Sequence, residues 1–179
     1  MSEKSPLKKF LMPEYFPSIH DTAFVAPGAV ILGAVTVGEQ ASIWYGCVMR
    51  GDINHIKIGA CSNLQDGCIV HVSDEYPATM GERVSIGHRA IIHACDVGDE
   101  VLVGMGAIIM DGAVIGPRSI IGAGAVVTKG TKVPEGSLVL GSPARVVRPL
   151  SLEEQQNNAR LAAKYVEVSR RYREMFPGS

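Results

Sequence analysis

His71, His88 and His93 are the residues of this 179-residue chain whose type and spacing point to chemistry. Imidazole nitrogens bind divalent transition metals at roughly 2.0 to 2.1 Å, and two rings on neighbouring rungs of a regular structure can reach one ion. Arg50, Asp52, Gln65 and Asp66 stand close by in sequence and add charged and amide groups to the set. A single exposed histidine is ordinarily a solvated side chain, and His20 and His55 read that way. A metal site at the other three therefore depends on the elements that hold them.

Those elements are written as a repeat. An aliphatic residue recurs every six positions from Ile19 to Arg145, usually followed by Gly or another small residue, with Ala, Ser, Val or Cys four positions on. Ile86-Gly-His-Arg-Ala-Ile, Val103-Gly-Met-Gly-Ala-Ile and Ile121-Gly-Ala-Gly-Ala-Val are clean copies. An amphipathic helix cannot sustain that period. The pattern resembles the left-handed parallel β-helix, an all-β solenoid in which each repeat forms one flat side of a triangular prism and the large aliphatic points inward. Three repeats make one coil. Counting a degenerate last copy at Arg145, the chain has 21 repeats, which predicts about seven coils.

The predicted organisation is an N-terminal arm over 1–18, the β-helix over 19–149 and a C-terminal helix over 150–179. Ser151-Leu-Glu-Glu154 reads as a capping box, and Leu152, Ala159, Ala162, Ala163 and Val166 as the apolar stripe. A helix from 151 to about 175 is roughly 37 Å long, against roughly 34 Å for seven coils spaced by about 4.8 Å. It is long enough to pack along the whole prism.

Composition narrows the function classes. Lys plus Arg at 17 balance Asp plus Glu at 18, which leaves no basic stripe for nucleic acid. No apolar run reaches the roughly 20 residues of a membrane span, and the first residues lack the apolar segment of a signal peptide; a cytoplasmic location is the expectation. Cys47, Cys61, Cys68 and Cys95 form no CxxC pair and read as small filler of the interior or corners.

The register then sorts the histidines. With Val25 on face a, Ile31 on face b and Val37 on face c, the successive face-b aliphatics Met49, Val70 and Ile92 are followed by Arg50, His71 and His93. This predicts an outward ladder of Arg, His and His, about 4.8 Å apart. His88 falls instead on face a, above Asp66. Face normals of a triangular prism diverge by about 120°, so one chain cannot easily bring the three rings together. Cyclic three-fold symmetry would oppose face a of one subunit to face b of the next. The expectation is a homotrimer with metal between subunits, His71 and His93 from one chain and His88 from its neighbour. Departures from the six-residue period, three extra residues at 55–57, four at 76–79 and one missing after Asp96, fall at one corner beside the ladder and suggest a shaped site.

Arg50-Gly-Asp52, Gln65-Asp66, His71, and His88 followed five residues later by His93 resemble the γ-class carbonic anhydrases over most of the chain. The resemblance implies His71, His88 and His93 as metal ligands, Gln65 beside the metal-bound water, Arg50 and Asp52 in an inter-subunit salt bridge, and Asp66 orienting the arginine. It implies Zn2+, with Co2+ or Fe2+ as alternatives. It also implies hydration of carbon dioxide to bicarbonate by water acidified to a pKa of about 7 on the metal. Tyr165 is a further pocket residue by its depth along the helix. The acidic proton-shuttling loop of fast members is short here, which leaves Asp74 as the shuttle expected. Two other readings stand beside this one. Hexapeptide acyltransferases share the prism and a Gly-Ser-Pro-Ala-Arg stretch like Gly141 to Arg145, with acyl-CoA thioester hydrolysis as a variant; similar trimers also serve as scaffolds or metal carriers.

Overall fold

The structure is a computed structural model that describes residues 16–175. It is a parallel β-solenoid of about seven turns matching the left-handed β-helix, with one helix along it. Strands are numbered in chain order. Face a carries β2 (Phe24–Val25), β4 (Ser42–Ile43), β6 (Asn63–Leu64), β9 (Ser85–Ile86), β12 (Leu102–Val103), β15 (Ile120–Ile121) and β18 (Ser137–Gly141). Face b carries β3 (Val30–Val37), β5 (Val48–Ile58), β7 (Ile69–His71), β10 (Ile91–His93), β13 (Ile108–Ile109) and β16 (Val126–Val127). The ends of β3 and β5 turn onto face c, where they stack with β1 (Ser18–Ile19), β8 (Ala78–Met80), β11 (Asp96–Val97), β14 (Val114–Ile115) and β17 (Lys132–Val133).

The inward aliphatics pair coil on coil in the expected register: Met49 with Val70, Val70 with Ile92, Ile92 with Ile109. All four are 0% exposed, so each rung is fixed by the burial of its aliphatic, and a slip of one residue would turn the core face outward. On face c the rungs approach so closely that only glycine fits. A Cβ added at Gly59 would lie 2.2 Å from the Gly81 carbonyl oxygen. Cys47, Cys68 and Cys95 are buried and Cys61 sits at a corner; all four are free thiols.

Four expectations shift. First, the last copy at Arg145 is not a coil: β19 (Ala144–Pro149) turns back and pairs antiparallel with β18. Second, the extra residues of the first insertion lie at Asp52 to His55, between the Arg50–His71 and Ile56–Ala78 pairs, because Ile56 to Ile58 stay in the ladder. Third, the second insertion occupies Ser73 to Pro77, since Ala78 and Thr79 already belong to β8, and the shortened turn is at Ala94, before Asp96. The arm over 1–18 falls almost wholly outside the described residues.

The fourth concerns the helix α1 (Leu152–Met175), which packs on face a along β2, β4, β6 and β9. The capping box forms: the Ser151 amide donates to Glu154 Oε2 at 2.8 Å and the Glu154 amide to Ser151 Oγ at 3.2 Å. The stripe is differently phased. Leu152 and Ala163 are exposed, whereas Asn158, Ala162 and Ser169 are buried. Solenoid corners present backbone carbonyls that need donors, and the Asn158 amide supplies them, to Glu100 O at 3.0 Å and Ser119 O at 3.2 Å. Lower down, Tyr165, Val168 and Tyr172 close over Phe24 and Trp44. Among the described residues no helix is long and apolar enough to cross a membrane.

The cap is acid-sensitive. Hydrogen bonds from Arg148 and the Ser151 amide lower the Glu154 carboxyl from its ordinary 4.5 to about 2. The folded value is the lower one, so this stabilisation is full above about pH 4.5 and disappears as the pH falls toward 2. Melting curves between pH 6 and 2 should show wild type converging on Glu154→Gln as acid removes the difference; parallel curves would dismiss the cap as a contributor.

Candidate metal centre

The ladder beside β5, β7 and β10 brings two histidines together. Arg50 pairs with His71 and His71 with His93 in register. His71 Nδ1 lies 3.1 Å from His93 Nε2, with ring centroids 5.2 Å apart and planes inclined by 48°. Each ring turns its other nitrogen to a carboxylate. His71 Nε2 meets Asp52 Oδ1 at 3.1 Å, and His93 Nδ1 meets Asp111 Oδ1 at 2.6 Å. Partial burial pushes the Asp52 carboxyl up, but hydrogen bonds from Arg50 and His71 outweigh it and hold Asp52 below the usual carboxylate value.

His88 is on face a at the corner after β9, as the register requires. Its Nδ1 faces Asp66 Oδ2 at 2.9 Å. Within one chain Asp66 thus engages His88. Arg50 pairs with Asp52 within the chain.

Gln65 is buried at 6% exposure, with its amide donating to Asn63 Oδ1 at 3.3 Å. Tyr165 stands edge-on to Trp44, centroids 5.7 Å apart, and shares with Asp66, Tyr45 and Lys164 a recess of about 440 Å³. Burial, then the negative charge of Asp66, raises its phenol. It belongs to the His88 side of the molecule. Asp74 is exposed on the loop after His71 and takes no part in these bonds. A recess of about 600 Å³ is an open furrow on face c along Gly59, Gly81, Gly98 and Gly116, and it contains none of the histidines.

Among the described residues of one chain, no three His, Cys, Asp or Glu side chains converge to hold a metal. The His71–His93 pair nevertheless fits two corners of a metal tetrahedron. Bonds of about 2.05 Å at the tetrahedral angle separate two nitrogens by about 3.3 Å, close to the 3.1 Å found. Carboxylates on the far nitrogens fix which nitrogen is free, as in metal sites generally. Sequence reasoning missed Asp111, as it did Asn63 and Trp44; the signal available for Asp111 was an acid one coil beyond His93 and next to the shortened turn.

A protein-family model described as bacterial transferase hexapeptide (six repeats) matches residues 94–129. A Methanocaldococcus jannaschii protein named "Probable carbonic anhydrase" is 57% identical over 145 residues, covering 81% of this chain and 91% of that one. The chain belongs to the γ-carbonic anhydrase family. The mitochondrial γ-carbonic anhydrase 1 of Arabidopsis thaliana is 40% identical over 77% of this chain, which spans about half, 52%, of that longer protein. Among solved structures, a hexapeptide transferase family protein from Anaplasma phagocytophilum superposes with a TM-score of 0.84 at 42% identity, covering 87% of this chain and 92% of the other. Membership in the γ family thus comes with the transferase prism, and the two names describe different levels: one the repeat, the other the site placed on it.

Proposed function

We propose that the chain catalyses the metal-dependent, reversible hydration of carbon dioxide to bicarbonate as a homotrimer. Each site would take His71 and His93 from one chain and His88 from its neighbour. The observation that supports this most is the His71–His93 pair, two nitrogens 3.1 Å apart with carboxylates behind them. Assembly is supported by the outward aliphatics beside the ladder: Val30, Ile69 and Ile91 on face b are 52%, 38% and 36% exposed, a β-branched stripe suited to burial against another chain.

The three neutral imidazoles would hold a divalent ion, Zn2+ or alternatively Co2+ or Fe2+, which when bound would acidify water to a pKa of about 7. This chain's residues do the rest. Gln65, an amide held by Asn63, orients the attacking oxygen; Arg50 and Asp52 keep the His71 ring in place; Asp66 does so for His88. Tyr165 and Trp44 wall the recess beside Asp66, and the exposed Asp74 carboxylate accepts the released proton. Four free thiols fit the reducing cytoplasm, the compartment we assign.

Protein purified anaerobically without chelator is expected to hold about one zinc, cobalt or iron per chain and to hydrate carbon dioxide. The second reading, transfer or hydrolysis of an acyl thioester of coenzyme A, draws on the transferase description of the repeat and of the Anaplasma structure. No metal even after reconstitution, together with turnover of acetyl-CoA, would put that reading first. Full metal without turnover of either substrate would leave a scaffold or carrier.

A further inference from the structure

We propose that Asp111 is a positioning residue that aims His93 Nε2 at the metal. The inference rests on the shared-site reading above. Asp111 lies in the turn after β13, eighteen residues beyond His93, and its Oδ1 is 2.6 Å from His93 Nδ1. A contact that short points to a hydrogen bond to a charged carboxylate, since charge-assisted bonds are shorter than neutral ones. A carboxylate only accepts, so Nδ1 carries the proton and Nε2 is left with its lone pair. That Nε2 is the atom 3.1 Å from His71 Nδ1.

The chain builds this contact by an irregularity. The repeat from Ile92 to Val97 is one residue shorter than the repeat above it, from Ile109 to Ile115, so Ala94 stands opposite both Asp111 and Gly112. Asp111 has no counterpart in the shortened turn beneath, and its side chain reaches down to the ring. The turn itself is tied on both sides: the Gly112 amide donates to Ala94 O at 2.8 Å, and the Gly130 amide donates to Asp111 O at 2.8 Å. Gly112 has φ of 65°, and a Cβ there would meet the Tyr76 ring at 3.2 Å. Glycine allows the insertion loop to close over the turn. The result is a carboxylate on a rigid support, in contact with a ligand ring that is about one third exposed, 34%.

The test is a Co2+ titration of the full chain followed by visible absorption, with wild type, Asp111→Asn, Asp111→Glu and His93→Ala compared, and melting of the metal-free proteins alongside. Outer carboxylates of this kind contribute about ten- to a hundred-fold to metal affinity. Asp111→Asn should therefore weaken Co2+ by that factor and shift the cobalt bands, with Asp111→Glu recovering part of the loss and the metal-free melting unchanged. Wild-type affinity in Asp111→Asn while His93→Ala has lost the metal would overturn the role of Asp111 and leave the shared site standing. Wild-type affinity in both would remove the shared site, and the inference with it. A fall in affinity matched by a fall in metal-free melting would reduce Asp111 to a structural residue.

Discussion

Co-expressing His71→Ala chains with His88→Ala chains should restore metal to about a quarter of the sites, whereas either variant alone holds none. The fraction follows from closed cyclic symmetry. A repaired site needs an intact face b on one chain and an intact face a on the next, each with odds of one half in an equal mixture. Every mixed trimer then carries a single repaired site, whichever variant is in the majority. The prediction rests on the placement of His71 with His93 on one face and His88 with Asp66 on another. Metal analysis of the tandem-tagged mixed trimer reads it directly. A site contained in one chain would lack a histidine in every chain, so an unrecovered mixture would remove the interfacial arrangement.

The second large effect is expected from Ile92→Ala. Ile92 is 0% exposed and stacked between Val70 and Ile109, one residue before His93. Truncating a buried isoleucine to alanine costs about 2 to 5 kcal/mol through lost transfer energy and the cavity left behind. For a chain of this size that lowers the melting temperature by roughly 4 to 20 °C. Because a solenoid coil touches only its neighbours, the loosening is local to the rungs of His71 and His93, and metal affinity should fall with stability. Val114→Ala on face c is the control: Val114 is 39% exposed, and a surface truncation there stays within about 0.5 kcal/mol. Equal melting of the two variants would mean that the core aliphatics do not set the rungs.

What the sequence made legible was the periodic part. A six-residue repeat written in aliphatics fixes which residues face inward, and from it the stacking of Arg50, His71 and His93, with His88 on a different face, could be read before any coordinates. What it left obscure is aperiodic. Where an insertion leaves the ladder depends on which flanking residues still find backbone partners: Ile56 to Ile58 and Ala78 to Met80 do, so the loops lie earlier than counting placed them. The face of α1 was misjudged for a related reason. Counting apolar residues put Leu152 and Ala163 on the packed side, whereas the corners of the prism present carbonyls, and their need for donors selected Asn158. Asp111 escaped notice because it occupies a turn, off the columns that periodicity defines. Its partner became visible only when the shortened turn at Ala94 was placed one coil beneath it.

The reversed strand β19 also answers a hazard that the repeat itself creates. A stack of identical parallel rungs ends in a row of unpaired amides and carbonyls, ready to accept the first rung of another molecule and grow without limit into a fibre. Here the final rung of face a is already taken by the chain's own tail, running the wrong way for another coil to follow from Ala144 to Pro149. The hairpin is a stop signal in the solenoid: shortening it by deletion after Gly141 should turn a discrete particle into one prone to end-to-end polymerisation.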